Sequence, residues 1–181
     1  MNALVIADDD SVIGKLPESR ADLLISLGDL ELSSITLAAA RYGCQKILAV
    51  KGNHDSALPF APPILDLHLK TFEFYGLRFG GFGGACKYKP RGHHLFEQHE
   101  VESALRAFPK VDVFVAHNSP LGIHDKDDEV HTGFAAFLPY IQKHQPKLFF
   151  HGHQHVSKET QIGGTKIVGV FGFKHFIINN T

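Results

Sequence analysis

Three consecutive aspartates, Asp8, Asp9 and Asp10, follow a short apolar run at residues 4–7. Like charges at adjacent positions repel each other, so a cluster of carboxylates at the end of a buried strand needs a physical reason. Two interpretations are open. The cluster is either a solvated acidic loop or a group of oxygen ligands for a divalent cation, which prefers carboxylates. The rest of the chain decides between them.

Polar residues with metal-binding or acid–base side chains recur after four further apolar runs. Taken singly, each group has an ordinary explanation as a turn or a buried histidine. Because α/β proteins bind ligands at the carboxyl ends of their strands, the groups together predict one site. Two histidines that are two residues apart in an extended segment also face the same centre. The groups are Gly28-Asp29, Gly52-Asn53-His54-Asp55, His117 and His151-Gly152-His153-Gln154-His155.

The composition is that of one globular domain, residues 1–181, and it disfavours two classes of partner. The formal net charge is −1, so no global basic field would recruit nucleic acid. No apolar run reaches the roughly 18 residues needed to cross a membrane. Two cysteines in unrelated contexts and the lack of a secretory leader favour the cytoplasm. The 13 dispersed histidines raise the expectation of a metal site.

Short apolar runs bounded by turn residues predict buried strands, and apolar residues at helical spacing predict three helices. Residues 69–84 alternate around Tyr75-Gly76, and the tail alternates around Gly163-Gly164, as antiparallel strands do. The expected fold is α/β: a layered α/β/β/α sandwich of two mixed sheets flanked by helices. The predicted strands include 3–7, 22–28, 46–52, 111–117 and 147–153, and the predicted helices are 32–42, 98–108 and 133–144.

The ordered motifs resemble those of the calcineurin-like metallophosphoesterases. That family has Asp-x-His, Gly-Asp, Gly-Asn-His-Asp/Glu, a lone His and Gly-His-x-His, each after a strand. The corresponding motifs here span residues 8–155, and the stretch HNSPLGIHDKDDEVHTGF also resembles the family's small phosphodiesterase-like branch. The first motif departs from the pattern, because Asp10 stands where the family has histidine.

The resemblance implies a dinuclear, metal-dependent phosphoesterase that acts on a small molecule, a diester rather than a monoester. A metal-bridging hydroxide would attack phosphorus while His54, which binds no metal, protonates the leaving group. The catalytic residues would be His54, Asp29 and Asn53, with Asp29 bridging the two metals. The remaining ligands would be Asp8, the residue at position 10 and His155 at one metal, and Asn53, His117 and His153 at the other.

Asp10 replaces the family's histidine as a ligand if the strand stays extended, because Asp8 and Asp10 then share a face. A third carboxylate weakens the metals as Lewis acids and raises the pKa of the bridging water. The oxygen-rich site favours manganese, with iron, magnesium, nickel or zinc as alternatives, and an alkaline pH optimum. The alternative is that Asp10 has lost contact with the metal, which leaves a one-metal or inactive site.

A glycine-rich loop at residues 83–94 carries most candidates for substrate contact. Its cations would hold phosphate oxygens, and its tyrosine would stack on a base or ring. A solvated cationic turn is the alternative interpretation of this loop. A histidine in the polar segment after His117 is a further candidate. The candidates are Lys87, Tyr88, Lys89, Arg91, His93 and His131.

Two other functions fit the sequence less well than a phosphoesterase. A binding scaffold with a weak or dead site would have no need of a leaving-group acid such as His54. A nuclease would need an extended basic face, and the chain has none beyond residues 87–94. The substrate and the oligomeric state stay open.

Overall fold

The computed structural model describes residues 1–179, which build two large β-sheets, a small two-stranded sheet and three α-helices. The helices are α1 (Leu32–Tyr42), α2 (Gln98–Arg106) and α3 (Phe137–His144), and a 3₁₀ helix spans Asp10–Lys15. The strands are β1 (Asn2–Ala7), β2 (Leu23–Ser26), β3 (Lys46–Ala49), β4 (Ile64–Asp66), β5 (Thr71–Phe74), β6 (Leu77–Phe82), β7 (Ala85–Cys86), β8 (Leu95–Phe96), β9 (Val113–Ala116), β10 (Leu148–His151), β11 (Glu159–Ile162), β12 (Thr165–Gly169) and β13 (Gly172–Ile177).

The first sheet has the order β13-β1-β2-β3-β4. Strands β1 to β4 are parallel to one another, and β13 pairs with β1 in the antiparallel sense. Ile6 lies opposite Ser26, and Ser26 lies opposite Ala49. The first three strands therefore end at the same level, and the loops that follow them leave the sheet side by side.

The second sheet has the order β11-β12-β10-β9-β6-β5. Its four inner strands are parallel, whereas β5 and β11 are antiparallel edge strands. The predicted hairpin is confirmed: Tyr75 and Gly76 join β5 to β6 with φ values of 51° and 72°. Both central residues of a two-residue type I′ turn need positive φ, which explains the glycine.

The two sheets pack face to face, and helices cover their outer faces. Apolar side chains from both sheets, such as Val5, Ile25, Val115 and Phe150, fill the layer between them. A second cluster joins the first sheet to α1 and the 3₁₀ helix, and a third, rich in phenylalanine, joins the second sheet to α2 and α3. The predicted sandwich of two mixed sheets flanked by helices is confirmed.

The helix predicted at 133–144 is wrong at its start, because α3 begins only at Phe137. Phe134 instead forms a β-bridge with Pro120. Gly133 packs so closely on Pro120 that a Cβ atom would lie 2.7 Å from its carbonyl carbon. These tertiary contacts override the helical periodicity of the segment.

Three strands and the 3₁₀ helix have no counterpart in the sequence prediction. Strands β4, β7 and β8 have only two or three residues each, too few for a period to be visible. Within the described residues no helix is long and apolar enough to span a membrane.

Candidate metal centre

The polar groups predicted from the sequence meet at one edge of the sandwich. Asp8 follows β1, Asp29 lies in the loop after β2, and Asn53 lies in the loop after β3. His117 and His153 follow β9 and β10 of the second sheet. Asp29, His117 and His153 each offer a ligand atom within 4.8 Å of the others. Strand ends of both sheets thus supply the candidate metal centre.

His117 is wholly buried, and its hydrogen bonds fix which nitrogen faces the centre. Nδ1 lies 2.7 Å from the carbonyl oxygen of Leu27 and therefore donates a hydrogen to it. Nε2 lies 3.1 Å from Asn53 Oδ1 and 3.4 Å from Asp29 Oδ2. When the imidazole is neutral, His117 Nε2 is an acceptor, and so are Asn53 Oδ1 and Asp29 Oδ2. Such a group needs a cation or an additional proton among its members.

His153 and Asp8 complete the buried part of the centre. His153 donates from Nε2 to the carbonyl oxygen of Val130, at 2.9 Å, which leaves the lone pair on Nδ1. The main-chain N–H of His153 donates to Asp8 Oδ2 at 2.9 Å. The other oxygen, Asp8 Oδ1, is buried and has no hydrogen-bond partner among the described residues. A buried carboxylate oxygen without a donor is costly unless a cation binds it.

Asp55, the last residue of the Gly52-Asn53-His54-Asp55 motif and one without a predicted role, holds two of the loops together. Its Oδ2 accepts hydrogen bonds from the main-chain N–H groups of Asp29 (3.0 Å) and Gly52 (2.7 Å). Its Oδ1 accepts one from Leu30 at 3.3 Å. A Cβ atom on Gly52 would lie 2.0 Å from Asp29 Oδ1, so only glycine lets the loops approach this closely. The acidic residue of the Gly-Asn-His-Asp motif was the available signal for this role.

Burial and mutual charge shift the pKa values of these side chains. Burial raises the pKa of Asp8 to about 7, and the nearby Asp29 carboxylate adds to that rise. Burial opposes the charged forms of Asp29 and His117, but their attraction outweighs it, so the pKa of Asp29 falls and that of His117 rises to about 9. Burial lowers the pKa of His153 to about 3, so this imidazole is neutral near pH 7.

Asp10 lies outside the buried cluster. It was expected to share a face with Asp8 on an extended strand, and that expectation is wrong. Asp8 has a φ of 63°, so the chain leaves the extended conformation before position 10, and Asp10 opens the 3₁₀ helix. Its exposed carboxylate accepts a hydrogen bond from the main-chain N–H of Glu31, at 3.2 and 3.4 Å from its two oxygens. Asp10 nevertheless lines a cleft together with Asp29 and His54. Its role as a ligand stays a prediction.

Three further histidines, His54, His131 and His155, line the cavity over the cluster. This cavity of about 270 Å³ is bounded by Asp8, Asp29, His54, Val130, His131, His153 and His155. His155 packs its ring on Phe171, with 4.8 Å between the ring centroids. His131 donates from Nδ1 to the Asp128 carboxylate at 2.8 Å, and its ring lies 5.3 Å from that of His153. The extended conformation expected for the segment of His153 and His155 is wrong, because their φ values are 63° and 50°. The roles of His131 and His155 stay predictions.

The candidates in the 83–94 loop occupy different places. Tyr88 reaches the centre, since its hydroxyl lies 3.4 Å from Asn53 Nδ2. Lys89 Nζ stands 4.9 Å from the centroid of the Tyr88 ring. Lys87 is instead paired with Glu97 at 2.9 Å. Arg91 is exposed, and His93 lines the cleft that also contains His54.

A chain of hydrogen-bonded polar side chains, which begins at the buried His151 behind the centre, was not predicted. His151 donates from Nδ1 to the carbonyl oxygen of Gly152 at 3.0 Å, which leaves Nε2 as an acceptor. His124 Nδ1 donates to it at 2.9 Å, and the Thr160 hydroxyl in turn donates to His124 Nε2 at 2.8 Å. The chain supports the turn that carries His153. Its members are far apart in sequence, so spacing gave no signal.

The residues of the candidate metal centre fit divalent cations. Asp8 Oδ1, Asp29 Oδ2 and Asn53 Oδ1 supply oxygen donors, and His117 Nε2 and His153 Nδ1 supply imidazole lone pairs. This mixture of carboxylate, amide and imidazole suits manganese, iron or zinc. The second nitrogen of each histidine is held by a carbonyl oxygen, as is usual for histidines that bind metals.

The sequence matches the model of the calcineurin-like phosphoesterase superfamily domain over residues 6–170. No curated protein is significantly similar to the chain in sequence.

Several solved structures share the fold. Phosphopantetheinyl hydrolase from Mycobacterium tuberculosis superposes with a TM-score of 0.62 at 14% identity, over 94% of this chain and 89% of that one. Vps29 from Entamoeba histolytica, complexed with Zn²⁺, gives 0.57 at 13% identity, over 100% and 88%. A putative 5′-nucleotidase from Staphylococcus aureus gives 0.52 at 12% identity, over 94% and 48%. At these identities the likeness is one of fold.

Proposed function

Since the chain belongs to the calcineurin-like phosphoesterase superfamily, we propose that it is a metal-dependent phosphoesterase that hydrolyses phosphodiesters. The observation that carries this proposal is the convergence of Asn53 Oδ1 and Asp29 Oδ2 on His117 Nε2. Acceptor atoms gathered in a buried place, beside an Asp8 oxygen without a donor, are what a cation site requires.

The proposal includes two divalent cations that share Asp29. Asn53, His117 and His153 would hold one of them, and Asp8, Asp10 and His155 would hold the other. When bound, such a pair neutralises charge on the phosphoryl oxygens and lowers the pKa of a coordinated water. The oxygen-rich second set favours manganese, with iron, magnesium, nickel or zinc as alternatives. The Glu31 N–H, which lies within hydrogen-bond distance of both Asp10 oxygens, would orient this carboxylate as a ligand.

His54 is the proposed acid that protonates the departing oxygen. Its main-chain N–H donates to Asp29 Oδ1 at 2.8 Å, which fixes the residue beside the centre. Its side chain is exposed to the cavity, and no described residue forms a hydrogen bond with its imidazole. An imidazole without a protein partner is available to a leaving group, and a well-placed acid of this kind contributes about 10²–10⁴-fold to the rate.

Asn53 and Tyr88 are proposed to orient the substrate. The Asn53 amide presents Oδ1 to His117 and directs Nδ2 toward the Tyr88 hydroxyl. Tyr88 thereby stands at the rim of the centre, where its ring could stack against a substituent of the ester. A diester is preferred over a monoester by analogy with the small phosphodiesterase-like branch. The expected partner is a small-molecule phosphoester, with neither membrane nor nucleic acid.

The proposed location is the cytoplasm. Cys44 and Cys86 are both free, which suits a reducing compartment better than an oxidising one.

The test is a comparison of two nitrophenyl esters after metal exchange. The protein is stripped of metal, reloaded with manganese, and assayed on bis(p-nitrophenyl) phosphate and on p-nitrophenyl phosphate. We expect faster turnover of the diester and a loss in His54→Ala, smaller than 10²–10⁴-fold because nitrophenolate needs little protonation. His99→Ala, an exposed histidine on α2, is the matched control. No turnover with any divalent metal would contradict the proposal.

A binding scaffold with a weak site is the second candidate. The observation that favours it is the hydrogen bond from Glu31 to Asp10, because a carboxylate held there is partly satisfied without metal. Failure of every divalent metal to support turnover would move this function to first place.

A further inference from the structure

A second cleft opens beside the candidate metal centre and shares lining residues with it. Its volume is about 680 Å³, against about 270 Å³ for the cavity over the metal ligands. The two spaces share Asp29 and His54, while His153 and His155 line only the smaller one. Because His54 is the proposed acid for the departing oxygen, the larger cleft lies where the leaving group of a substrate would extend.

Lys51 lines this cleft and has an unusual environment for a lysine. It is only 9% exposed, and its Nζ donates a hydrogen bond to the carbonyl oxygen of Ser56 at 2.7 Å. The Phe60 ring covers another side of the ammonium, with 4.7 Å from Nζ to the ring centroid. Within the described residues no carboxylate oxygen lies within 4 Å of Nζ. Buried ammonium groups are almost always paired with an anion, so the cleft provides a place for one.

The first turn of α1 provides a second attraction for an anion in the same cleft. Leu32 and Ser33 line the cleft at the start of this eleven-residue helix. The Asp10 carboxylate accepts the N–H of Glu31, the residue before the helix, but no side chain among the described residues accepts the N–H groups of the first turn. The amino end of a helix carries partial positive charge and binds phosphate through its main-chain N–H groups. The Ser33 hydroxyl adds another donor. This helix end and Lys51 come from separate segments of the chain.

Four carboxylates also line the cleft, those of Asp10, Asp29, Glu31 and Asp55, and two of them belong to the proposed metal ligands. Asp55 is saturated by three main-chain N–H groups, and Asp29 faces His117. Asp10 and Glu31 are exposed and therefore sit at the mouth. Lys51 is the one lysine or arginine among the lining residues of this cleft. An anion would avoid the mouth and settle beside the lysine.

We propose that this cleft binds the leaving group of the substrate and that the leaving group carries an anion of its own, for which phosphate fits best. This inference rests on the proposed function. The substrate class is then a phosphodiester whose departing alcohol bears a second phosphate or a carboxylate. Hydrolysis breaks the P–O bond to that alcohol and forms a P–O bond to the oxygen of water. His54 gives its proton to the departing oxygen and regains one from the attacking water.

Three methyl phosphodiesters that differ only in the leaving group test this inference. Their leaving groups are phenol, 4-hydroxybenzoate and 4-hydroxyphenyl phosphate. The wild-type, manganese-loaded protein should show a kcat/KM at least about tenfold higher for an anionic leaving group than for phenol, as expected for a charge-assisted contact. This difference should come from a lower KM for the esters with an anionic leaving group. A larger gain with the phosphate than with the carboxylate identifies phosphate as the natural group, and the reverse identifies carboxylate.

Substitutions at Lys51 and Glu31 should move this preference in opposite directions. Lys51→Met, which keeps the length of the side chain, should abolish the preference, and Lys51→Arg should retain it. Glu31→Gln, which removes a negative charge at the mouth, should increase it. A role for Lys51 only in holding the Ser56 segment would change the unfolding temperature and kcat for all three esters alike, without altering the preference.

A binding measurement with the free leaving-group alcohol tests this inference independently of the proposed function. If none of the esters is turned over with any divalent metal, the proposed function fails. Calorimetric titration with 4-hydroxyphenyl phosphate then still tests whether the cleft binds an anionic alcohol. Binding that Lys51→Met weakens about tenfold supports the inference, and equal affinity in the two proteins overturns it. A wild-type protein without preference for the anionic leaving groups also overturns it.

Discussion

The imidazole of His117 donates a hydrogen bond from Nδ1 to the carbonyl oxygen of Leu27, at 2.7 Å. This contact joins the strand ends of the two sheets and fixes the tautomer of a wholly buried histidine. Nε2 is left to face two further acceptors, Asn53 Oδ1 and Asp29 Oδ2. Without metal, an additional proton on Nε2 would satisfy these three atoms.

The stability of the metal-free protein should therefore fall between pH 6.5 and about 9. The pKa of His117 rises from 6.5 to about 9 on folding, so its contribution is complete below pH 6.5 and is lost as pH rises through 9. A single such group changes the free energy of unfolding by at most about 1.4 kcal/mol per pH unit. Urea denaturation of metal-free protein at several pH values measures the fall.

Saturation with manganese should remove this pH dependence, because metal replaces the proton and binds more tightly as pH rises. A metal-free protein whose stability is constant from pH 6.5 to 9 would show that His117 is not protonated at Nε2.

Asp55→Asn should weaken metal binding by about 10–100-fold, the usual effect of losing a group that orients a ligand. An amide cannot accept all three of the main-chain hydrogen bonds that Asp55 accepts. The free energy of unfolding should also fall by about 1.5–3 kcal/mol. Asp112→Asn is the matched control, because Asp112 accepts a main-chain hydrogen bond from Arg78 at the far ends of the strands. Equal metal affinity in both variants would rule out the orienting role.

Asp10→His should shift the preferred metal from manganese toward zinc and lower the pH optimum. Histidine in place of a carboxylate reduces the donated negative charge and so strengthens the metal as a Lewis acid. Rates with each metal across pH 6–10 measure both changes. We expect the preference for zinc over manganese to change by about a factor of ten. Asp9→Asn is the control, since Asp9 only caps the 3₁₀ helix through Ser11. A profile identical to that of the parent would show that Asp10 is no ligand.

His124→Phe should lower the free energy of unfolding by about 1–3 kcal/mol, because it leaves the buried Nε2 of His151 without a donor. Thr160→Val should cost less, since it removes only the outer hydrogen bond of the chain. Thermal and urea unfolding compare both with His99→Phe on the exposed face of α2. No destabilisation by His124→Phe would mean that water replaces the lost donor.

The convergence of the site could be predicted because it depends on strand order. Buried parallel strands appear in the sequence as apolar runs, and the residue after each run lies at the same edge of a sheet. Asp8, Asp29, Asn53, His117 and His153 meet for that reason. The hairpin at Tyr75-Gly76 was predictable from alternation and a turn glycine alone.

The position of Asp10 could not be predicted, because contacts distant in sequence fix the turn before it. The main-chain N–H of Asp8 donates to Gly28 at 3.3 Å, and Asp8 accordingly adopts a positive φ that its sequence neighbours do not encode. The partners of Gln154 are similarly remote: its amide donates to Asn118, Ser119 and the carbonyl of His131. Short-range periodicity carries no information on such contacts.

The most direct test of the candidate metal centre is a count of manganese ions bound per chain, in the wild-type protein and in Asp29→Asn. We predict two ions per wild-type chain by calorimetric titration and elemental analysis. Loss of the shared ligand should weaken the binding of both ions to the variant by at least about tenfold. A wild-type protein that binds no manganese, or a variant that binds it as tightly as the wild type, would contradict the account.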